Sequence, residues 1–191
     1  TELYNVDGVA GSRGQVIFIN YDNEFLKEKA VRQAISMCID KEGCADIINK
    51  GASVSTTGLY PDFMDFGGAD GYEYDIEGAN ALLDEAGIKD TDGDGIRELN
   101  GKNISLRLVT YSTKAELSKF CSEIASSAKN IGINITTEVY ESVSEQQKTG
   151  DFDLLMVSFT MVPTGDPQYF ADIAFRTGGS SNYGGYSNEE V

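Results

Sequence analysis

Residues 152–159 constrain this chain more than any other stretch. Phe152-Asp153-Leu154-Leu155-Met156-Val157-Ser158-Phe159 is almost wholly apolar, has the length of a strand and lacks the alternation of a half-exposed one. A strand of that kind lies inside a sheet with both faces covered, so helices or a second layer must flank it. It runs without a break into Thr160-Met161-Val162-Pro163-Thr164-Gly165-Asp166, a loop punctuated by Pro and Gly. In open α/β sheets ligands bind beyond the carboxyl ends of the strands, which makes this loop the leading candidate for a binding surface.

The surrounding pattern supplies the flanking layers. Residues 104–159 read as β-α-β-α-β. Ile104-Ser105-Leu106-Arg107-Leu108-Val109-Thr110-Tyr111 is a strand, and Thr113-Lys114-Ala115-Glu116 predicts a capping box. The helix it opens buries Leu117, Phe120, Cys121, Ile124, Ala128 and Ile131 and stops at Gly132. A strand over residues 133–139 and a short helix from Val143 to Gly150 complete the unit, whose crossovers imply parallel pairing. The expected class is α/β, a three-layer unit around a β-α-β-α-β parallel core. No Gly-x-Gly-x-x-Gly or Walker loop follows a strand, so a nucleotide-binding role is not expected.

Upstream, residues 1–14 read as an entering linker and residues 15–191 as one α/β unit, with no closing element at 187–191 and so an expected truncation there. Residues 15–20 predict a strand, and Leu26, Ala30, Val31, Ala34, Ile35, Cys38 and Ile39 form one helical stripe. Asp40 caps a second helix with Cys44, Ile47 and Ile48 inward and Gly51 as its stop; Asp75 caps a third, apolar at Ile76, Ala79, Leu82, Leu83 and Ala86 and ending at Gly87. Between them residues 52–74 form a long irregular connection, whose aromatics Tyr60, Phe63, Phe66 and Tyr72 are expected to pin it to the domain rather than touch ligand. After Pro167 comes a short helix through Phe170, Ile173, Ala174 and Phe175. A loop rich in Gly, Asn and Tyr follows at 176–186, suited to hydrogen-bonding a small ligand.

Composition removes whole classes of function. Fifteen Lys plus Arg against 31 Asp plus Glu give a net charge of −16, which repels nucleic acid and anionic lipid. No apolar run reaches the roughly 20 residues of a membrane span, and Thr1-Glu2-Leu3-Tyr4 does not begin a signal peptide, so the expectation is either an intracellular chain or an export signal outside this sequence. Histidine is absent, which excludes Ser-His-Asp and Cys-His nucleophiles and imidazole metal ligands from this chain. Cys38, Cys44 and Cys121 match no zinc or redox spacing and are expected to be thiols, Cys121 in the core. Asp90-Thr91-Asp92-Gly93-Asp94-Gly95 resembles the start of an EF-hand loop, but position twelve is Gly101. The expectation is a tight acidic turn, with Asp90, Asp92 and Asp94 a weak calcium candidate and a calcium-binding structural module the reading from another class. Acid-base catalysis by Asp92 and Asp94 is not expected, because no apolar pocket raises either pKa; the chain is read as no enzyme, with no cofactor.

Several segments in order carry a resemblance. Val31-Arg32-Gln33-Ala34-Ile35 running to Ile39-Asp40-Lys41, Tyr74-Asp75 with Ala81-Leu82-Leu83-Asp84-Glu85-Ala86-Gly87, and Asp92-Gly93-Asp94-Gly95-Ile96 form the first half. Phe152-Asp153-Leu154, Gly165-Asp166-Pro167-Gln168-Tyr169-Phe170 and Asn182-Tyr183-Gly184-Gly185-Tyr186-Ser187-Asn188 form the second. Together they resemble the family 5 extracytoplasmic solute-binding proteins, which serve ABC importers for oligopeptides, dipeptides and nickel. The resemblance implies the second lobe of a two-lobed, periplasmic-binding-protein-like fold that clasps its ligand between lobes. It assigns ligand binding to Phe159, Thr160, Met161, Val162, Pro163, Thr164 and Gly165, with Asn182 and Tyr183 in a second cleft-facing segment and Asp166 and Pro167 shaping the loop. Implied partners are a small solute (peptide, then chelated nickel, then oligosaccharide), the first lobe of the same protein and an ABC permease. The implied state is a monomer outside the cytoplasm, periplasmic or lipid-anchored. The chain departs from the family in offering Pro163 and Thr164 where oligopeptide binders place a carboxylate, and Met161 where an aromatic is common. It also lacks Trp and the histidine that nickel binders can use.

Overall fold

The computed structural model describes residues 11–48, 50 and 53–189. In chain order the elements are β1 (Arg13–Ile19), α1 (Lys29–Met37), α2 (Lys41–Ile48), α3 (Ile76–Glu85), the short β2 (Glu98–Leu99) and β3 (Lys102–Asn103), and β4 (Ser105–Tyr111). Then come α4 (Ala115–Ala128) with a 3-10 turn at Lys129–Ile131, β5 (Asn134–Tyr140), α5 (Ser144–Thr149), β6 (Leu154–Thr160) and α6 (Gln168–Ala174).

The main sheet has the order β1-β6-β4-β5, so the apolar run occupies an interior strand. β4 runs parallel to both β5 and β6, while β1 is antiparallel to β6, with Gly14 opposite Phe159 and Ile19 opposite Leu154. Alternation along β6 divides its side chains between two cores. Leu154 and Met156, with Leu106 and Leu108, pack on Val31, Leu83, Leu117, Cys121 and Ile124 from α1, α3 and α4. Leu155 and Val157, with Phe18 and Val109, pack on Phe170 and Ala174 of α6 and on Val143, Phe152 and Tyr60. Both faces of β6 are therefore closed, and truncating a fully buried residue such as Leu154 to Ala costs about 2–5 kcal/mol.

Local signals account for most element ends. Asp40 and Asp75 accept from the N–H of Gly43 and Gly78, each at 2.8 Å, as N-caps should. The 3-10 turn after α4 and α5 itself end at Gly132 and Gly150 in left-handed geometry (φ 69° and 73°). The stripe expected on α4 is buried at every position.

Four details differ from expectation. α4 begins at Ala115 with Lys114 extended at the N-cap and no side-chain cap, so Thr113 lies outside the helix and the capping box does not form. Ile47 is 81% exposed, because the inward arc of α2 runs through Cys44, Ala45 and Ile48 and leaves Ile47 roughly 110° away. Ala86, at the C-cap of α3, is exposed. β1 starts at Arg13, so Arg13 and Gly14 belong to the sheet; residues 1–10 of the expected linker, the expected stop at Gly51 and residues 190–191 lie outside the described residues.

All three cysteines are buried free thiols, and burial pushes Cys38 and Cys121 up to about 12 and Cys44 up to about 11.

Candidate functional site

β6 delivers residues 160–167 at the carboxyl end of the parallel core. Phe159 is half-buried, its ring 5.1 Å from Phe170 and 6.3 Å from Phe18, and Thr160 is half-buried beside it. Met161 and Val162, both 6% exposed, turn down into the apolar cluster with Phe18 and Phe170. The Met161 N–H donates to the Ser12 carbonyl (2.9 Å), and its sulfur covers Gly14, where a Cβ would sit 2.6 Å from it. Pro163, Thr164 and Gly165 are the expected site residues left exposed. The Gly165 N–H returns to the Val162 carbonyl (3.2 Å), and Asp166 Oδ1 accepts from the Gln168 N–H (2.9 Å) to open α6. The result is a tight exposed turn standing on a doubly buried strand.

A second segment reaches the same place, and sequence reasoning did not put it there. Tyr60, 9% exposed, donates from its hydroxyl to the Pro167 carbonyl (2.6 Å), and Tyr60 and Met64 pack in the cluster that holds Met161 and Val162. Burial, with the Asp166 carboxylate nearby, pushes the Tyr60 phenol above its ordinary range. Tyr60 and Tyr72 carry out the expected pinning of the long connection, whereas Phe63 and Phe66 remain 51% and 37% exposed. Tyr72 does so by bonding with Gln33 on α1. The 107-residue separation of Tyr60 from Pro167 left no local signal.

Asn182 and Tyr183 lie on the loop after α6, whose backbone meets the end of β1 at Ile19. Asn182 donates to the carbonyls of Arg176 (3.2 Å) and Tyr186 (2.7 Å) and accepts from the Tyr186 N–H (2.9 Å), so its amide organises its own loop. The Tyr183 ring meets Phe18 edge-on at 5.0 Å, and the Gly184 carbonyl accepts from the Tyr21 N–H (2.8 Å). The backbone contacts of this loop fall at Ile19, which pairs with Leu154 at the start of β6, whereas the Tyr183 ring leans back along the sheet: Phe18, which it touches, also meets Phe159 at 6.3 Å in the cluster that holds Met161 and Val162. A separate open cavity of about 820 Å³ lies at this amino end, lined by Asn20, Asp22, Gln147, Lys148, Ser180 and Tyr183 among others.

In the acidic turn, carboxylate oxygens of Asp90, Asp92 and Glu98 lie within 4.8 Å of one another, an arrangement that could hold a hard cation. Asp94 is not among them: it accepts from the Ile96 N–H (2.7 Å) and the Asn103 amide (2.6 Å). Asp90 accepts from the N–H groups of Gly93 (2.7 Å) and Gly95 (2.9 Å), which hold its carboxyl below the usual range. Arg97 secures the turn by bonding Asp84, Asn80 and the carbonyls of Ile88 and Ile131.

The model of bacterial extracellular solute-binding proteins, family 5 Middle, matches residues 1–182. The oligopeptide-binding protein AppA of Bacillus subtilis (strain 168) is 30% identical over 183 residues, covering 90% of this chain and 33% of that protein. The nickel-binding protein NikA of Staphylococcus aureus (strain NCTC 8325 / PS 47) is 28% identical over 184 residues, covering 95% of this chain and 35% of that protein. The solved structure of AppA from Bacillus subtilis with a nonapeptide aligns at a TM-score of 0.82 and 29% identity, over 94% of this chain and 37% of that one. The chain spans about a third of the length of these curated relatives. Among the described residues no helix is long and apolar enough to cross a membrane. With its parallel α/β core and a match along nearly its whole length, the chain belongs to the bacterial extracellular solute-binding proteins of family 5.

Proposed function

We propose that this chain is the second lobe of a two-lobed protein that captures an oligopeptide or dipeptide and presents it to an ABC importer. The observation that carries the reading is the exposed Pro163-Thr164-Gly165 turn at the carboxyl end of an interior strand, where α/β sheets place ligands. Met161 and Val162 hold the turn from below and Tyr60 braces it from the side, so it offers a preformed surface. Capture needs no bond made or broken: the lobes hinge about the solute, and the closed form docks on the permease. The protein works as a monomer outside the cytoplasm, in the periplasm or lipid-anchored at the outer face of the membrane.

The likeness to a nickel-binding relative over 95% of the chain favours a second reading, uptake of chelated nickel. With no histidine here, the metal would arrive already chelated or be held by the first lobe.

Native mass spectrometry of the full-length protein, purified without denaturation, separates the two. A spread of adducts that fragment as amino acids is the expected result. A single adduct with the isotope pattern of nickel would replace the peptide reading with the chelate one.

A further inference from the structure

The structure points to a substrate class. We propose that residues 57–71 form a second wall of the solute site and select peptides that combine basic with aromatic or large apolar side chains. The proposal rests on the peptide-capture reading above.

The segment is a closed, built loop. Gly71 lies so close to the Thr57 carbonyl, and Gly58 to that of Ala69, that a Cβ at either position would overlap it, so the two limbs touch at the neck as in an Ω-loop. Thr56 Oγ1 ties the entry by donating to the carbonyls of Gly58 (3.1 Å) and Tyr60 (3.3 Å). Two successive turns follow, Met64 N–H to Pro61 carbonyl (3.0 Å) and Gly67 N–H to Met64 carbonyl (2.8 Å). Within them Tyr60 and Met64 point into the cluster under the 163–165 turn, while Phe63 and Phe66 stay exposed. The Phe66 ring stands edge-on to Tyr60 at 5.1 Å, and Tyr60 is bonded to Pro167, so this aromatic surface adjoins the turn.

Charge around it is mostly acidic. Asp62 and Asp65 are exposed beside the two rings, and Asp166 is exposed on the adjoining turn. No lysine or arginine occurs in residues 51–88 or 149–175, the two segments that meet here. The cations nearby stand on other elements: Arg13 on β1, opposite Thr160, Lys114 before α4, and Lys41 at the start of α2, whose ammonium is held by the Ser36 and Tyr72 carbonyls (3.0 and 2.8 Å). Carboxylates interleaved with exposed aromatic faces favour a cationic group that carries its own apolar surface, through charge and through attraction to the rings. Acidic solutes are repelled by the same groups.

The test uses the full-length protein and calorimetric titration with four pools of synthetic hexapeptides, built from Lys and Phe, Glu and Phe, Lys and Ser, or Glu and Ser. The Lys/Phe pool should bind about tenfold more tightly than the Glu/Phe pool. Phe63→Ala with Phe66→Ala should weaken the Lys/Phe pool roughly fivefold and the Lys/Ser pool less than about twofold. Asp62→Asn with Asp65→Asn should reduce the preference for Lys/Phe over Glu/Phe about threefold. All four positions are exposed, so folding is retained. If both double variants bind the four pools as the parent does, the inference is overturned and peptide capture stands. If the parent binds none of the pools, peptide capture falls and the inference with it.

Discussion

At the carboxyl end of β6, Pro163, Thr164 and Gly165 stand exposed on a turn whose neighbours, Met161 and Val162, are sunk in the core. At its amino end, Asn182 directs its whole amide at its own loop, and Gly184 is pressed against Ile19. The two loops have similar residues and both looked suited to a ligand. What separates them is where their polar groups already point. The carboxyl-end loop is anchored through apolar side chains, two main-chain bonds and the Tyr60 hydroxyl on Pro167, which leaves the Thr164 side chain at its tip uncommitted. The amino-end loop is held by its hydrogen-bonding side chain itself, so removing that group should act on stability before it acts on binding.

The largest expected effect comes from breaking the amino-end contact. A Cβ at Gly184 would overlap the Ile19 carbonyl oxygen, so Gly184→Ala should destabilise the chain by roughly 3 kcal/mol, read as a lowered midpoint in urea denaturation. An unchanged midpoint would mean that the loop does not depend on this approach. Asn182→Ala should cost about 2 kcal/mol through its lost hydrogen bonds, whereas Thr164→Ala should stay within about 0.5 kcal/mol and act on solute retention. Equal losses of stability at the two positions would erase the contrast.

Tyr60→Phe sharpens the comparison at the carboxyl end. It removes the bond to Pro167, should cost about 1 kcal/mol and should speed proteolytic cleavage within residues 57–71. The smallest effect belongs to the acidic turn, whose oxygens resemble Asn182 in serving their own loop. Asp90 has its folded pKa held below the ordinary value by the Gly93 and Gly95 N–H groups, so its contribution is present above the unfolded value and lost as pH falls through the folded one. Asp90→Asn should therefore lower the melting temperature slightly at neutral pH, and the gap should close in acid. A gap that widened in acid would contradict this assignment.

How much was legible in the sequence follows the same division. Asp40, Asp75, Gly132 and Gly150 mark element ends as their residue types suggest, and the α4 stripe from Leu117 to Ile131 is buried throughout. Ile47 failed because spacing alone does not say which arc of a short helix meets the core, and Thr113 because the turn before α4 leaves it one residue too early. In the acidic turn, the carboxylate that joins Asp90 and Asp92 is Glu98 rather than Asp94, a choice made by how the chain folds back.

The sequence by itself determined the class of the fold, the buried strand and the loop it delivers. These rest on periodicity and on local caps, which each residue carries with it. Only the tertiary structure decided that Met161 and Val162 turn inward, that Tyr60 crosses to Pro167, and that the Asn182 amide closes its own loop while Tyr183 packs on Phe18. Those outcomes depend on pairings between distant segments, and whether a polar group is left uncommitted is known only once its partners are in place.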